Sequence, residues 1–346
     1  MNGITPEDIK IKELLEKIKT NTLNEIIIAK AVDLQPDLIL CLAQAPLSPE
    51  GIDRLKKLDV PVVFWFVEDF RTLLYWKDIA KYYDNFFTIQ RGCFFEELEK
   101  RSIKNYYYLP QACAPSIHRP LVLEEQERRK FSADLSFMGA AYYNRRKSFP
   151  RLLDYDFKIW GTGWDLNSII GKILQNKNER VSTEDCVKIY NCGKINLNFH
   201  SSTFHQDVNP NGDFVNPRTF EIAGCGGFQL VDERSELPHF FKPDEEIVTF
   251  KDIDDLKNKI DYFLANKKER EAIADKARIR AVKEHSFEKR LEEMLIHIFQ
   301  NKIQYLKNKL GSRTKKIDFL LEQADEKSEL GEFLKSFYDK GDISLN

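Results

Sequence analysis

A polar stretch between Asp213 and Gly227 combines side chains suited to a ligand that carries both phosphate and hydroxyl groups. Asn216-Pro217 is typical of a helix start, where free backbone N–H groups and a partial positive charge favour a phosphate. Arg218 and Glu221 are three residues apart and therefore share a face of that helix. A guanidinium can bind a diphosphate through two parallel hydrogen bonds, and a carboxylate is a strong acceptor for a ribose diol.

The same two charged residues could instead form an ordinary surface ion pair, which would contribute only about 0–1 kcal/mol. Their neighbours Phe220, Ile222 and Cys225 are apolar, so the sequence predicts a largely buried helix. Buried charges need partners or a function, and this favours a binding site over the ion pair.

Two series of short apolar runs predict the strands that would position this helix. Each run is nearly continuous in apolar residues, as expected for parallel strands covered by helices on both faces. Helical segments separate the runs, which predicts two Rossmann-like α/β units. The first series comprises Leu38–Leu42, Val62–Phe66, Asn85–Ile89 and Tyr106–Leu109, and the second comprises Asp134–Met138, Phe157–Trp160, Lys194–Phe199, Gly227–Val231 and Glu246–Phe250.

The chain has 346 residues, too many for one ordinary core, and four parts are predicted. Residues 1–120 form a first Rossmann-like domain, 121–132 a linker, 133–285 a second Rossmann-like domain, and 286–346 C-terminal helices that pack on the first domain or on a partner. Helix starts are predicted at Thr5-Pro6 and, through a capping-box pattern, at Thr22 to Glu25. No strand with a glycine-rich turn is recognisable before Thr5, so the first domain is predicted to be shortened.

Charge and cysteine content exclude several classes of protein. The 53 basic and 55 acidic side chains give a formal charge of −2, whereas a general nucleic-acid binder would show a basic excess. The six cysteines form no C-x-x-C pair and no histidine pair has zinc spacing, so no metal site is predicted. No secretory signal is visible and no apolar run approaches membrane-spanning length, which indicates a cytoplasmic protein.

The stretch from Asn216 to Gly227 resembles the R-x-F-E-x-x-A-C-G signature of GT-B glycosyltransferases, with Gly224 where alanine is usual. It is most similar to the CgeB-like group of that class. The resemblance covers roughly residues 38–295 and is more specific in the second half of the chain. Other stretches that agree are Asp134–Gly139 with Arg145-Arg146, Trp160–Trp164, Tyr190–Asn198 and His285–Arg290.

This resemblance implies a GT-B fold with a shared cleft, in which the C-terminal domain binds a nucleoside diphosphate sugar and the N-terminal domain binds the acceptor. Glu221 matches the glutamate that binds the donor ribose, and Arg218 would face the diphosphate. Asp213 stands where retaining relatives carry the first acid of an E-x7-E pair that contacts the donor sugar. The implied donor site also includes Gly139, Arg145, Asn198 and Asn216, and the family needs no metal or other cofactor.

Asp69 follows the predicted strand Val62–Phe66 and would remove the acceptor proton if the reaction inverts the anomeric centre. A loop or helix-cap role for Asp69 is equally open. His200 and His205 could contact the donor or the acceptor, although a lone loop histidine is more often a solvated polar residue. The D-x-D at Asp252 to Asp254 resembles a metal motif, but N-capping of the helix that follows explains it better.

The sequence therefore predicts metal-independent transfer of a sugar to an acceptor that could be a protein, a glycan or a small molecule. Two alternatives stay open: an epimerase or hydrolase of nucleotide sugars on the same fold, and a non-catalytic subunit that binds nucleotide sugars. The amphipathic residues from Leu320 to Phe337 keep the second alternative open and allow self-association through the C-terminal helices.

Overall fold

The computed structural model describes residues 6–300, with side-chain environments from residue 10 onward. It divides the chain into two compact units. The first unit contains the residues up to Pro110 and those from Glu292 onward, and the second runs from Gln111 to Leu291. The predicted amphipathic segment Leu320–Phe337 lies outside the described residues.

The first unit is built on a four-stranded parallel sheet whose strands follow one another in chain order. All four predicted runs form strands, with ends within one residue of the prediction. The strands are β1 (Ile39–Leu42), β2 (Val62–Phe66), β3 (Asn85–Thr88) and β4 (Tyr106–Tyr108), and the helices are α1 (Pro6–Leu34), α2 (Pro49–Lys56), α3 (Trp76–Ile79) and α4 (Cys93–Lys100).

Helix α1 is one continuous helix of 29 residues, so the prediction of a second helix start at Thr22 is wrong. No glycine or proline interrupts residues 7–34, and the Thr22 hydroxyl donates to the Ile18 carbonyl oxygen at 2.9 Å within the helix. Ile27, Ile28 and Ala31 pack into the core of the first unit. These contacts anchor the second half of α1 to the sheet.

The second unit contains a five-stranded parallel sheet with the order β6-β5-β7-β8-β9. The chain reverses its winding direction between β5 and β7, and ligands of open α/β sheets bind at the carboxyl ends of the strands at such a switch point. All five predicted runs form strands, with ends within two residues of the prediction. These strands are β5 (Ala133–Met138), β6 (Phe157–Trp160), β7 (Gly193–Asn198), β8 (Gln229–Asp232) and β9 (Val248–Phe250).

Helices cover both faces of this sheet, as the continuous apolar strands predict. The predicted linker is part of the second unit and contains a helix, because Glu124 and Glu127 form a capping box there. No helix between residues 6 and 300 is long and apolar enough to cross a membrane. The helices are α5 (Glu125–Phe131), α6 (Tyr143–Ser148), α7 (Thr183–Cys192), α8 (Pro217–Gly224), α9 (Ile253–Ala265), α10 (Lys267–Glu284) and α11 (Phe287–Gln300), the last of which continues into the first unit.

Candidate functional site

Helix α8 begins where the sequence predicts. Asn216 caps it, because its side-chain oxygen accepts a hydrogen bond from the Thr219 N–H at 3.2 Å, and Pro217 occupies the first helical position. Five of its eight residues are buried, which confirms the predicted buried helix. Arg218 and Glu221 are half-buried and lie on its first turns.

Arg218 bridges the two strand ends that flank the switch point. Its Nη1 donates to the carbonyl oxygen of Met138, the last residue of β5, at 3.3 Å. Its Nε lies 3.5 Å from Oδ1 of Asn198, the last residue of β7, and its Nη2 lies 3.4 Å from the Phe199 carbonyl oxygen. The guanidinium therefore sits where a ligand of this kind of sheet is expected.

Arg145, on α6, brings a second guanidinium to the same place. It is only 2% exposed, and its Nε and Nη2 donate to the Phe199 carbonyl oxygen at 3.0 and 2.6 Å. The guanidinium carbons of Arg145 and Arg218 lie 5.0 and 5.6 Å from the centre of the Phe137 ring. Burial, and then the positive charge of Arg218, lower the pKa of Arg145.

The two guanidiniums are bonded to neutral oxygens instead of carboxylates. Within residues 6–300, neither Arg145 nor Arg218 forms an ion pair with an acidic side chain. Two neighbouring cations in a partly buried position disfavour each other, and an anionic ligand would relieve that repulsion. The arrangement can therefore bind a phosphate or diphosphate.

Two glycines make room for this arrangement. A Cβ at Gly139 would lie 3.0 Å from Nη1 of Arg218, so a side chain there would press on the guanidinium. Gly161 has a φ of 139°, and a Cβ there would lie 2.1 Å from the Gly139 carbonyl oxygen. The group that approaches Gly139 in the structure is the side chain of Arg218. Direct contact of Gly139 with a donor stays a prediction.

The buried amide of Asn198 joins α8 to the sheet. Its Nδ2 donates to the Thr219 hydroxyl at 2.7 Å and to the Gln229 side chain at 3.0 Å. Its Oδ1 accepts from Nδ2 of Asn216 at 2.8 Å. These bonds give Asn198 and Asn216 a positioning role at the start of α8, and direct contact of either residue with a donor stays a prediction.

Behind the start of α8 lies a buried cluster of His200, Asp232 and Arg234. Nδ1 of His200 lies 2.7 Å from Oδ1 of Asp232, and Nε2 of His200 accepts from the Asn216 N–H at 2.9 Å. Burial lowers the pKa of His200 to about 4, against the opposing effect of Asp232. Burial alone would raise the pKa of Asp232, but Arg234, which its carboxylate contacts, and His200 hold that pKa below the usual range. A neutral histidine therefore fixes the backbone at Asn216.

Sequence reasoning left His200 open as a contact of the donor or the acceptor, or as a solvated loop residue, and missed its two partners. His200 is 1% exposed, so its interpretation as a solvated residue is wrong. The available signal was an aspartate that ends the apolar run of β8, followed two residues later by an arginine. A carboxylate at the end of a buried strand needs a partner, and Arg234 provides it. The structure gives His200 a positioning role.

Glu221 lies on the same helix as Arg218 but forms a hydrogen bond with a different residue, Tyr190. The Tyr190 hydroxyl donates to Oε2 of Glu221 at 3.4 Å. Burial raises the pKa of Glu221, while the positive charge of Arg218 and the Tyr190 hydrogen bond oppose that shift. Arg218 and Glu221 form no ion pair within residues 6–300, so the alternative of a surface ion pair is wrong.

Comparisons with known proteins show what this arrangement is similar to. A family model described as "Glycosyl transferase-like" matches residues 144–296, which include both arginines and Glu221. Spore protein CgeB of Bacillus subtilis (strain 168) is 27% identical over 253 residues, which cover 69% of this chain and 76% of CgeB. The chain is therefore similar to glycosyltransferases of the CgeB-like group, and its fold is the GT-B fold.

Solved structures support the GT-B fold of this chain. A glycosyltransferase from Rickettsia africae ESF-5 has a TM-score of 0.56 at 11% identity, and the match covers 87% of this chain and 83% of that one. Anabaena HepE, solved in complex with UDP-glucose, has a TM-score of 0.57 at 9% identity, with 80% and 82% of the two chains covered. At these identities the likeness concerns the fold alone.

The remaining candidates of the second unit lie in its loops. Asp213 is half-buried shortly before α8, and its Oδ1 accepts from the Phe214 N–H at 2.8 Å. Its contact with a donor sugar stays a prediction. Nδ1 of His205 lies 2.8 Å from the hydroxyl of Ser202. Asp252 caps α9 by accepting from the Asp255 N–H at 2.8 Å, which confirms the capping interpretation of the D-x-D.

Asp69 belongs to the first unit and follows β2. Its Oδ1 accepts from the Arg71 N–H at 2.9 Å and lies 3.7 Å from the Arg71 guanidinium. The carboxylate therefore stabilises a turn, as the loop interpretation predicts. Its role as a general base stays a prediction.

Proposed function

We propose that this protein is a glycosyltransferase that transfers a sugar from a nucleoside diphosphate sugar to an acceptor, and that its second unit binds the donor. The observation that carries this proposal is the pair of guanidiniums, Arg145 and Arg218, which lie at the switch point without carboxylate partners in the described chain. The Anabaena HepE structure in complex with UDP-glucose shows that a protein of similar fold binds such a donor.

In this proposal the diphosphate binds to Arg218, with Arg145 behind it and the start of α8 beside it. Negative charge develops on the leaving diphosphate as the glycosidic bond to the sugar breaks. Fixed guanidiniums and helix N–H groups stabilise that charge without reorganising, which is the largest contribution that such a site can make. Because these groups already supply positive charge, the reaction needs no divalent metal.

Glu221 binds the ribose of the donor in the same proposal. It is on the same turns of α8 as Arg218, so one helix would contact both the diphosphate and the neighbouring ribose. The carboxylate must be ionised to accept from both hydroxyls, and Arg218 favours that form. Asp213 precedes the helix and would contact the donor sugar.

A thermal-shift panel of nucleoside diphosphates and their sugars tests the proposal, with EDTA present in a parallel series. We expect at least one nucleoside diphosphate to raise the melting temperature with and without EDTA, and Arg218→Ala to abolish the rise. A rise that requires Mg²⁺ would refute metal independence, and no rise with any member of the panel would refute the donor class.

The donor identified in this way is then incubated with and without candidate acceptors. Transfer requires that release of the nucleotide depend on the acceptor. Release at full rate without an acceptor would instead make the protein a nucleotide-sugar hydrolase. Donor binding without turnover on any acceptor would favour a binding subunit.

A further inference from the structure

The amino-terminal half of α1 carries an exposed apolar stripe, formed by Ile11, Leu14, Leu15 and Ile18. These residues are spaced so that they share one face of the helix. They are 57%, 58%, 60% and 53% exposed. A contiguous apolar surface of this kind on a water-soluble helix marks a site of interaction more often than a free surface.

The two halves of α1 differ sharply in their contacts. In the second half, Asn24 is 4% exposed and its Oδ1 accepts from the Ser48 N–H, while Ala31 packs in the core. Residues 10–19 are exposed on all sides of the helix. An isolated helix of this length is marginal in water, so this half needs a partner to be stable.

The remainder of the chain follows a helix of the same unit. Helix α11 is described as far as Gln300 and lies in the first unit from Glu292 onward, where Met294 and Ile298 are buried and the His297 ring contacts Tyr107. Residues 301–316 could span about 50 Å if extended. Helix α1 is about 44 Å long, which is less than that span, and α1 and Gln300 belong to the same unit.

Pattern and charge of the following residues match the stripe. Ile317, Leu320, Leu321 and Ala324 have the same spacing as the four residues of the stripe. Residues 318–332 contain six acidic side chains and one lysine, whereas residues 10–19 contain four lysines and two glutamates. A second α1 stripe would bring like charges together, so charge complementarity favours the acidic segment over a second copy of α1.

We propose that residues 317–330 bind the α1 stripe of the same chain as an amphipathic helix. The apolar residues of the segment cover Leu14 and Ile18, and its acidic residues face the lysines on both sides of the stripe. This contact would attach the C-terminal segment to the first unit and leave the donor site of the second unit unchanged. The proposal does not depend on the donor assignment.

Hydrogen exchange measured on the full chain tests it. We expect the double variant Leu320→Glu/Leu321→Glu to accelerate amide exchange in residues 10–19 by about tenfold or more, because the undocked half-helix opens readily. Exchange in residues 24–34 should not change, since those residues are held by the core. The matched control Gln323→Glu adds a similar charge away from the apolar face and should leave residues 10–19 protected.

The molecular mass of the protein in solution distinguishes this intramolecular contact from a contact between two copies of the chain. A monomer whose residues 10–19 lose protection only in the double variant supports the proposal. Equal exchange in wild type and double variant would overturn it. A dimer whose protection of residues 10–19 fades on dilution would also overturn it, and would assign the stripe to a second copy.

Discussion

The carboxyl edges of the two parallel sheets differ in how their charged side chains are satisfied. In the first unit, Glu68 accepts a hydrogen bond from Gln44 at 3.2 Å and is contacted by the Tyr75 hydroxyl, and Asp69 binds the Arg71 N–H. In the second unit, Arg145 and Arg218 are bonded to neutral oxygens and have no carboxylate partner in the described chain.

Strand order explains this difference. The strands of the first unit follow in the order β1-β2-β3-β4, so every connection winds in the same direction and no switch point forms. In the second unit the winding reverses between β5 and β7, and the connections leave the strand ends open to side chains from α6 and α8. Similar apolar strands therefore give a candidate binding site in one unit, and in the other unit an edge whose acidic side chains are bonded within the protein.

The largest expected effect comes from removing the charge at the switch point. Arg218→Ala should lower kcat/KM for sugar transfer by about 10²–10³-fold, because it removes stabilisation of the leaving diphosphate. Steady-state kinetics and circular dichroism would show this loss with an intact fold. Arg146→Ala is a matched control, since Arg146 is exposed on the same helix as Arg145, and it should change kcat/KM by less than about twofold. An equal loss in both variants would contradict the assignment.

The His200 cluster should make the second unit sensitive to acid. The folded state keeps His200 neutral down to a pKa of about 4, whereas the unfolded chain takes up a proton at about pH 6.5. Stability therefore falls as the pH drops from 6.5 to 4, by up to about 3 kcal/mol from this residue. His285, with a pKa lowered to about 4 mainly by burial, adds to the same window.

Urea unfolding at several pH values measures this dependence. The variant His200→Gln keeps a donor and an acceptor but cannot bind a proton, so the slope between pH 6.5 and 4 should become shallower. The exposed His239→Gln should keep the wild-type slope. A wild-type slope in the His200 variant would show that another group controls acid stability.

Substitution of Asp69 tests whether the carboxyl edge of the first sheet takes part in catalysis. If it removes the acceptor proton, Asp69→Asn should lower kcat by about 10²-fold with the KM for the donor unchanged. The melting temperature should stay constant, because the asparagine oxygen can still accept from the Arg71 N–H. An unchanged kcat would limit Asp69 to its role in the turn.

The smallest expected effect concerns the affinity for the ribose of the nucleotide. Wild-type protein should bind a nucleoside diphosphate about tenfold more tightly than its 2′-deoxy form, because Glu221 accepts from the diol. Glu221→Gln should weaken binding of the ribonucleotide and reduce this preference. Calorimetry with both nucleotides measures this preference. A preference that persists in the Glu221→Gln variant would remove Glu221 from the ribose site.

Local pattern was sufficient to predict the strands and the start of α8. All nine strands occur where continuous apolar runs predict them, and Asn216-Pro217 forms the predicted cap. The second helix start was wrong because a capping-box pattern also fits the interior of a helix, where Thr22 bonds to Ile18. Strand order could not be derived from pattern, because it depends on which strands pair across long stretches of chain.

The same limit applies to the site. Arg218 and Glu221 were found because they are three residues apart, and this spacing places both on one face of a predicted helix. The local pattern of Asp232 and Arg234 indicates only that these two residues pair with each other. Their contact with His200 was missed because Asp232 and His200 are 32 residues apart in sequence. Arg145 was named through the resemblance, while its shared contact with Phe137 required the fold.

The amide of Asn198 has a consequence for the kinetics of binding. Because it bonds to Thr219, Asn216 and Gln229 at once, the start of α8 is held in place by hydrogen bonds within the protein. A diphosphate that arrives there does not have to order a loop, so little conformational entropy opposes its capture. Stopped-flow traces of nucleotide binding should therefore rise in a single phase whose rate increases linearly with nucleotide concentration.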